Sequence, residues 1–196
     1  MPETAQTKVY KYIVENEPEH TFYWKIEFNP SEDQIITTNL DNDFNPVDKM
    51  YETLTASGAE LTKFFEYNTL ENGEIVAVEA IVRDKDIVKW SPSKSYQYRV
   101  QTPSDEGDIH MIKIRDYQGL ESVIWKGEER KVVKFKGYYY FKYPDYEGMY
   151  HMYQFSYYTP DIGMIMFERY IQNESKTFVL ENILSLEEFE ALKAGN

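Results

Sequence analysis

The sequence predicts a mainly β fold: a large curved antiparallel sheet, either an open barrel or a sandwich, with a short amphipathic helix at its C-terminal end. Three observations lead there. Apolar and polar residues alternate with period two along the whole chain, the pattern of strands with one dry and one wet face. Turn residues separate these runs at roughly ten-residue spacing, as in all-β sandwiches and barrels. The 196 residues include 18 Tyr and 11 Phe, side chains that fit a pleated, half-buried surface better than a helix.

The elements follow in order. Residues 8–15 and 21–28 read as a strand pair joined by the turn at 16–19. In the second strand Phe22, Trp24, Ile26 and Phe28 alternate with Tyr23, Lys25 and Glu27. Strands are then predicted over 34–40, 50–56, 60–69 and 74–82. Asn72-Gly73 lies between the last two and predicts a type I′ hairpin, because both residues tolerate positive φ. Ser57-Gly58 is a weaker signal of the same kind. Further strands are predicted over 87–90, 95–101, 109–116, 120–126, 131–143, 149–158, 164–171 and 177–183. In 131–143, Phe135, Gly137, Tyr139, Phe141 and Tyr143 fall on one side, with Lys134, Lys136, Tyr138, Tyr140 and Lys142 on the other. Ser185-Leu186-Glu187-Glu188 is a capping box, Leu184 and Phe189 hold the staple positions, and Leu186, Phe189 and Leu192 share a face of the helix that ends at Gly195. The chain reads as one β domain over 1–196. Residues 39–49, rich in Asn, Asp and Pro, mark the best boundary for an N-terminal hairpin unit over 1–45.

Charge and composition exclude several functions. The net charge of −13 repels phosphate backbones and anionic lipid surfaces, so nucleic acid is not an expected partner. With no cysteine, disulfides, thiol nucleophiles and thiolate zinc sites are ruled out. No window approaches 18 consecutive apolar residues, so no membrane-spanning helix is predicted. The polar start over 1–7 has neither a basic nor an apolar region, so it is not a signal peptide. There is no P-loop, dinucleotide-binding glycine fingerprint, Gly-x-Ser-x-Gly elbow or His-Glu-x-x-His pair. His20, His110 and His151 show no ligand-like spacing. Asp41, Asp43, Asn45 and Glu52 match calcium-loop positions by residue type, but Pro46 stands where the loop needs Gly. An Asx-rich surface turn explains these residues better. No metal and no cofactor is expected. Lys126, Arg130, Lys131, Lys134, Lys136 and Lys142, with Tyr138 and Tyr140 interleaved, read as the solvated face of a hairpin.

The segment Tyr157-Tyr158-Thr159-Pro160-Asp161-Ile162-Gly163-Met164 follows an aromatic-rich strand and precedes another strand and the ending Leu180-Glu181-Asn182-Ile183-Leu184. Together with Trp90-Ser91-Pro92 and the strand over 132–143, it resembles uncharacterised bacterial envelope proteins distantly similar to the LolA/LolB lipoprotein-carrier superfamily. The likeness covers residues 87–186. It implies a periplasmic or cell-envelope protein whose curved sheet wraps partly around helices and offers a concave apolar face to acyl chains. Peripheral membrane association is expected only through a lipid anchor, which this sequence does not carry. No catalytic residues carry over.

Aromatic side chains crowd the segment 138–170, where they form either core or the wall of a pocket. The expected function is non-enzymatic: an apolar or amphiphilic ligand bound, or envelope assembly assisted, on a concave face that includes Trp125, Tyr139, Phe141, Tyr153 and Phe155. A carbohydrate-binding β-sandwich with exposed tyrosines is the alternative. A hydrolase with paired carboxylates is the third reading.

Overall fold

A computed structural model describes residues 4–90 and 94–195. Its strands are β1 (Gln6–Val14), β2 (Glu17–Asn29), β3 (Gln34–Leu40), β4 (Pro46–Thr55), β5 (Gly58–Thr69) and β6 (Ile75–Lys89). They continue with β7 (Tyr96–Thr102), β8 (Ile109–Trp125), β9 (Glu128–Lys142), β10 (Tyr150–Thr159), β11 (Gly163–Ile171) and β12 (Glu174–Ser185). A single α-helix, α1 (Leu186–Ala194), follows. Every strand pairs antiparallel with its neighbours in sequence, and β1 pairs with β12, so the sheet closes on itself. Closure leaves no edge strand with unpaired backbone groups.

The expected curved antiparallel sheet and capped helix are both present. The resemblance implied helices inside the sheet, whereas here side chains fill the interior and α1 lies outside. Ser185 Oγ accepts from Glu188 N (3.2 Å) and Glu188 Oε2 accepts from Ser185 N (2.7 Å), completing the capping box. Phe189 packs into an outer cluster with Val9, Tyr23, Leu40, Phe44, Leu184 and Leu192, pinning α1 over β1–β3. Leu186, expected on that face, is 41% exposed.

Two strands are longer than the sequence pattern predicts. The polar run 83–86 interrupts the alternation but not the strand, because a register shift between Val82 and Asp84 absorbs it within β6. Likewise 109–116 and 120–126 are one strand, β8, bent at a bulge where Gly119 has φ +117°. The hairpin at 71–73 forms, but its turn is not type I′. Only Gly73 (φ +84°) has positive φ there, and Gly73 N donates to Leu70 O (2.9 Å). This is the three-residue loop in which a residue with left-handed φ follows a type I turn. Ser91 and Pro92 of the quoted resemblance lie outside the described residues.

Two further apolar clusters form, both reaching the barrel interior. One gathers Ala59, Leu61, Phe64, Ala80, Ile87, Tyr98, Val100 and Met111 from β5–β8. The other centres on Tyr12, Val132, Tyr157, Met164, Ile165, Phe167 and Leu180. Phe167 stacks on Phe178 (centroids 4.4 Å apart) and lies edge-on to Phe22 of β2 (5.6 Å), three strands away around the wall. Beyond Gly119 the β8–β9 hairpin reaches across this cluster, and Trp125 Nε1 donates to Leu180 O of β12 (3.0 Å). Strands β9, β10 and β11 separate those residues along the wall. At about 4.8 Å per strand the contact has to run across the barrel's end rather than around it. That end is therefore stoppered.

The outer wall is charged. Gln97, Arg99 and Gln101 on β7 and Lys134, Lys136 and Tyr138 on β9 alternate with inward residues, and Lys134 pairs with Glu121 (3.1 Å). A lipid-facing barrel wall would carry an apolar band at these positions. Among the described residues no helix is long and apolar enough to cross a membrane.

Gly58 opens β5 where the chain passes directly over β6. A Cβ added there would meet Val88 O at 1.9 Å. Gly58→Ala is expected to lower stability by roughly 1–3 kcal/mol, the usual cost of overpacking against backbone that does not yield. Urea unfolding of variant and parent checks this.

Candidate functional site

A cavity of about 410 Å³ lies inside the barrel between the two apolar clusters and opens beside the 41–45 loop. Its volume falls in the range of small-molecule sites, roughly 300–1,000 Å³. Phe22, Trp24, Met50, Phe64, Met111 and Phe178 supply apolar lining. The polar lining comes from Asn39, Asp48, Lys113, Tyr139, Gln154 and Arg169, while Thr21, Asp41, Asn42 and Val47 form the rim.

Strand alternation positions each group. On β4, Asp48, Met50 and Glu52 point inward; on β8, so do Met111, Lys113 and Arg115, across from Tyr139 and Gly137 of β9. Gln154 of β10 faces Arg169 of β11, and Gln154 Oε1 accepts from Arg169 Nε and Nη2 (3.3 Å each). The Arg169 guanidinium also lies 5.3 Å from the Phe167 ring centroid and 5.4 Å from that of Phe178. Lys113 Nζ sits 4.7 Å from the Tyr139 ring centroid and 5.8 Å from that of Tyr98. Arg115, behind Lys113 on the same strand, donates to Ile87 O (3.3 Å) and Tyr158 Oη (2.9 Å).

The carboxyls are held differently. Asp48 Oδ1 accepts from Asn39 Nδ2 (2.6 Å), and Glu52 Oε1 accepts from Thr37 Oγ1 (3.3 Å). Asn39 Oδ1 is buried with no partner. Asp48 and Glu52 are reached only from within the barrel. Burial raises Asp48 to about 6, against the pull of Asn39, and raises Glu52 to about 7, against that of Thr37. Burial alone would raise the Tyr139 phenol as well, but Lys113, Arg169 and Arg115 outweigh it and bring that phenol below its ordinary value. The cations thus dominate the field at the Tyr139 hydroxyl, although the protein as a whole is acidic.

Of the five residues the sequence placed on a concave ligand face, Tyr139 lines this cavity and the other four do not. Phe141 faces inward but packs against the Phe64–Met111 cluster and stacks on Tyr143 (6.4 Å). Trp125 belongs to the stopper. Tyr153 and Phe155 alternate with inward Gln154 and Ser156, so they lie on the outer wall. There Tyr153 stacks on Tyr170 (4.6 Å) and Lys134 Nζ covers Phe155 (4.6 Å). The basic run on β9 is the solvated face expected. Sequence reasoning missed Trp24 and Phe178 as lining, and Asp48, Lys113 and Arg169 altogether. The available signal was charge at alternate strand positions, 113 and 115 or 48 and 52, on a face that a period-two reading reserves for core.

The calcium-loop spacing does not come together. Asp41 Oδ1 instead accepts from Asp43 N (2.9 Å) and Asn45 N (2.8 Å), an Asx-type turn, and Glu52 lies inside the wall of β4. Among the described residues no group of three His, Asp or Glu side chains is placed to hold a metal ion.

No family model matches the chain, and no curated protein does either. Two solved structures share the fold. A candidate lipoprotein from Parabacteroides distasonis aligns with TM-score 0.56 at 13% identity, over 94% of this chain and 97% of its own. A candidate exported protein with YmcC-like fold from Bacteroides fragilis aligns with TM-score 0.54 at 12% identity, over the same shares. The chain thus has the closed, meandering β-barrel architecture of these two bacterial proteins.

The raised carboxyls predict a pH dependence of stability. A carboxyl whose folded pKa exceeds its unfolded value binds its proton more tightly in the native state. Stability is then full below the unfolded values near 4 and is lost as pH climbs through about 6 for Asp48 and about 7 for Glu52. Together the two carboxyls lose on the order of a few kcal/mol. Replacing both (Asp48→Asn with Glu52→Gln) should flatten the unfolding free energy between pH 5 and 8 relative to the parent, as measured by urea titrations across that range.

Proposed function

We propose that this chain is a non-enzymatic binding protein of the bacterial envelope that takes one small amphiphilic ligand into the barrel cavity. The observation that carries this reading is the cavity's two-sided lining. One side is rings and methionines; the other is charged and amide groups without enough partners among themselves. A purely apolar ligand would leave those polar groups dry and unpaired, and a purely polar one would waste the rings. The envelope assignment rests on likeness to the two bacterial proteins and on the sequence resemblance, including that to the lipoprotein carriers.

Catalysis by paired carboxylates is disfavoured by geometry. Asp48 and Glu52 are four residues apart on one strand, about 13 Å between Cα atoms, and each carboxyl is held by its own neighbour, Asn39 or Thr37, with no shared substrate position between them. Glu66, directly opposite Asp48, is tied to Thr102 and does not line the cavity. Carbohydrate stacking on outer tyrosines is disfavoured too, because Tyr153 and Tyr170 already cover each other's faces.

Titration with the uncharged probe N-phenyl-1-naphthylamine is expected to give one site per chain, with enhanced probe emission. Met111→Trp, which fills the cavity, should weaken binding by about tenfold, or about 1.4 kcal/mol. Unchanged affinity in a folded Met111→Trp protein would move the site elsewhere, and binding of oligosaccharides without any binding of the probe would replace this reading with the carbohydrate one.

A further inference from the structure

The cavity's polar side is unbalanced in sign. Lys113 and Arg169 both line it, and among the described residues neither has a carboxylate within salt-bridge distance. Arg169 spends two donors on a single amide oxygen, Gln154 Oε1, leaving the rest of its guanidinium uncommitted. Lys113 rests against Tyr98 and Tyr139, ring faces and a phenol that do not neutralise its charge. Together they are close enough to Tyr139 to act on its hydroxyl from two strands, β8 and β11. Asp48, whose carboxyl the two cations act on only at longer range, is bound to Asn39 instead. Cations enclosed without a carboxylate in direct contact are costly, and an anion delivered by a ligand into that contact lowers the cost.

Resting on the binding reading above, we infer that the ligand carries one anionic head group, a carboxylate or a phosphate, seated between Lys113 and Arg169 beside Tyr139, with its apolar portion against Phe22, Trp24 and Phe178. This site sets a local positive pocket inside a protein whose net charge of −13 repels anions at a distance. Selectivity for an anion is therefore built at the cavity and not on the surface.

Isothermal titration of the full chain with decanoate, decyl phosphate, decanol and decyltrimethylammonium at neutral pH separates the cases. Decanoate or decyl phosphate should bind at least about tenfold tighter than decanol, one charge-assisted hydrogen bond or more, and the cationic amphiphile weakest of all. The two anions together report whether a planar or a tetrahedral head fits. Replacing both cations (Lys113→Gln with Arg169→Gln) should bring the anions down to the level at which the same variant binds decanol. Lys113→Arg should keep the preference. Decanol binding as tightly as the better of the two anions, or an anion preference surviving in the double variant, would overturn the anionic site while leaving an amphiphile cavity in place. Failure of all four to bind would overturn both. The four-ligand comparison is made on the unaltered protein, so it stands even if the double variant does not fold.

Discussion

The pairing of β1 with β12 is the constraint on which the rest of the structure depends. Those strands lie at opposite ends of the chain, and their ladder runs from Lys8 opposite Ser185 to Val14 opposite Phe178. Until it forms, both are exposed edges, and the loop it closes is almost the whole sequence, so the ordering cost is paid late and in one step. Once formed, it fixes which side chains are inside on all strands, because every register around the ring is then locked to its neighbours. Helix α1 follows β12 without a break and lies over β1 and β2, so its Phe189 fastens the seam from outside. The cavity exists only because this ring is closed.

A closed ring of this size does not fill with apolar side chains alone. Twelve strands enclose more volume than one layer of core residues occupies, and the interior settles into two apolar clusters with a partly polar cavity between. The two carboxyls Asp48 and Glu52 are raised because they are enclosed, not because they are paired. Asp48 and Glu52 have only neutral hydrogen-bonding partners, and the nearest cations act on them across open space. The rim is set by a loop in which Phe44 takes φ +63°, a strained value for an aromatic residue. It is held there by its contacts with Tyr23 (5.1 Å) and Phe189 (5.6 Å) and by the Asp41 turn.

The fold was readable because the rule that makes it is local. Phe22-x-Trp24-x-Ile26 and Phe135-x-Gly137-x-Tyr139 announce both their strands and their inward faces, and Ser185 with Glu188 announces the helix start. The site was much less readable, and for a physical reason. A period-two reading assigns inside to the greasier set, so on β8 it favours Ile112 and Ile114, whereas Lys113 and Arg115 are the residues that turn inward. The same inversion hides Asp48 and delays the apparent start of β4. It also sets Tyr139 and Tyr153 on one concave face, when the two stand on opposite sides of the wall. Local pattern carries no information about whether a ring will be wide enough to hold water at its centre.

The Trp125 stopper has a consequence for traffic. A barrel blocked at its far mouth is a cup and not a pipe: whatever is loaded past Asn42 and Val47 has to back out along the same track. Such a vessel cannot move cargo in a set direction by itself. Any handover has to be driven from outside, by a recipient that meets the lip and holds the contents more firmly than the cup does.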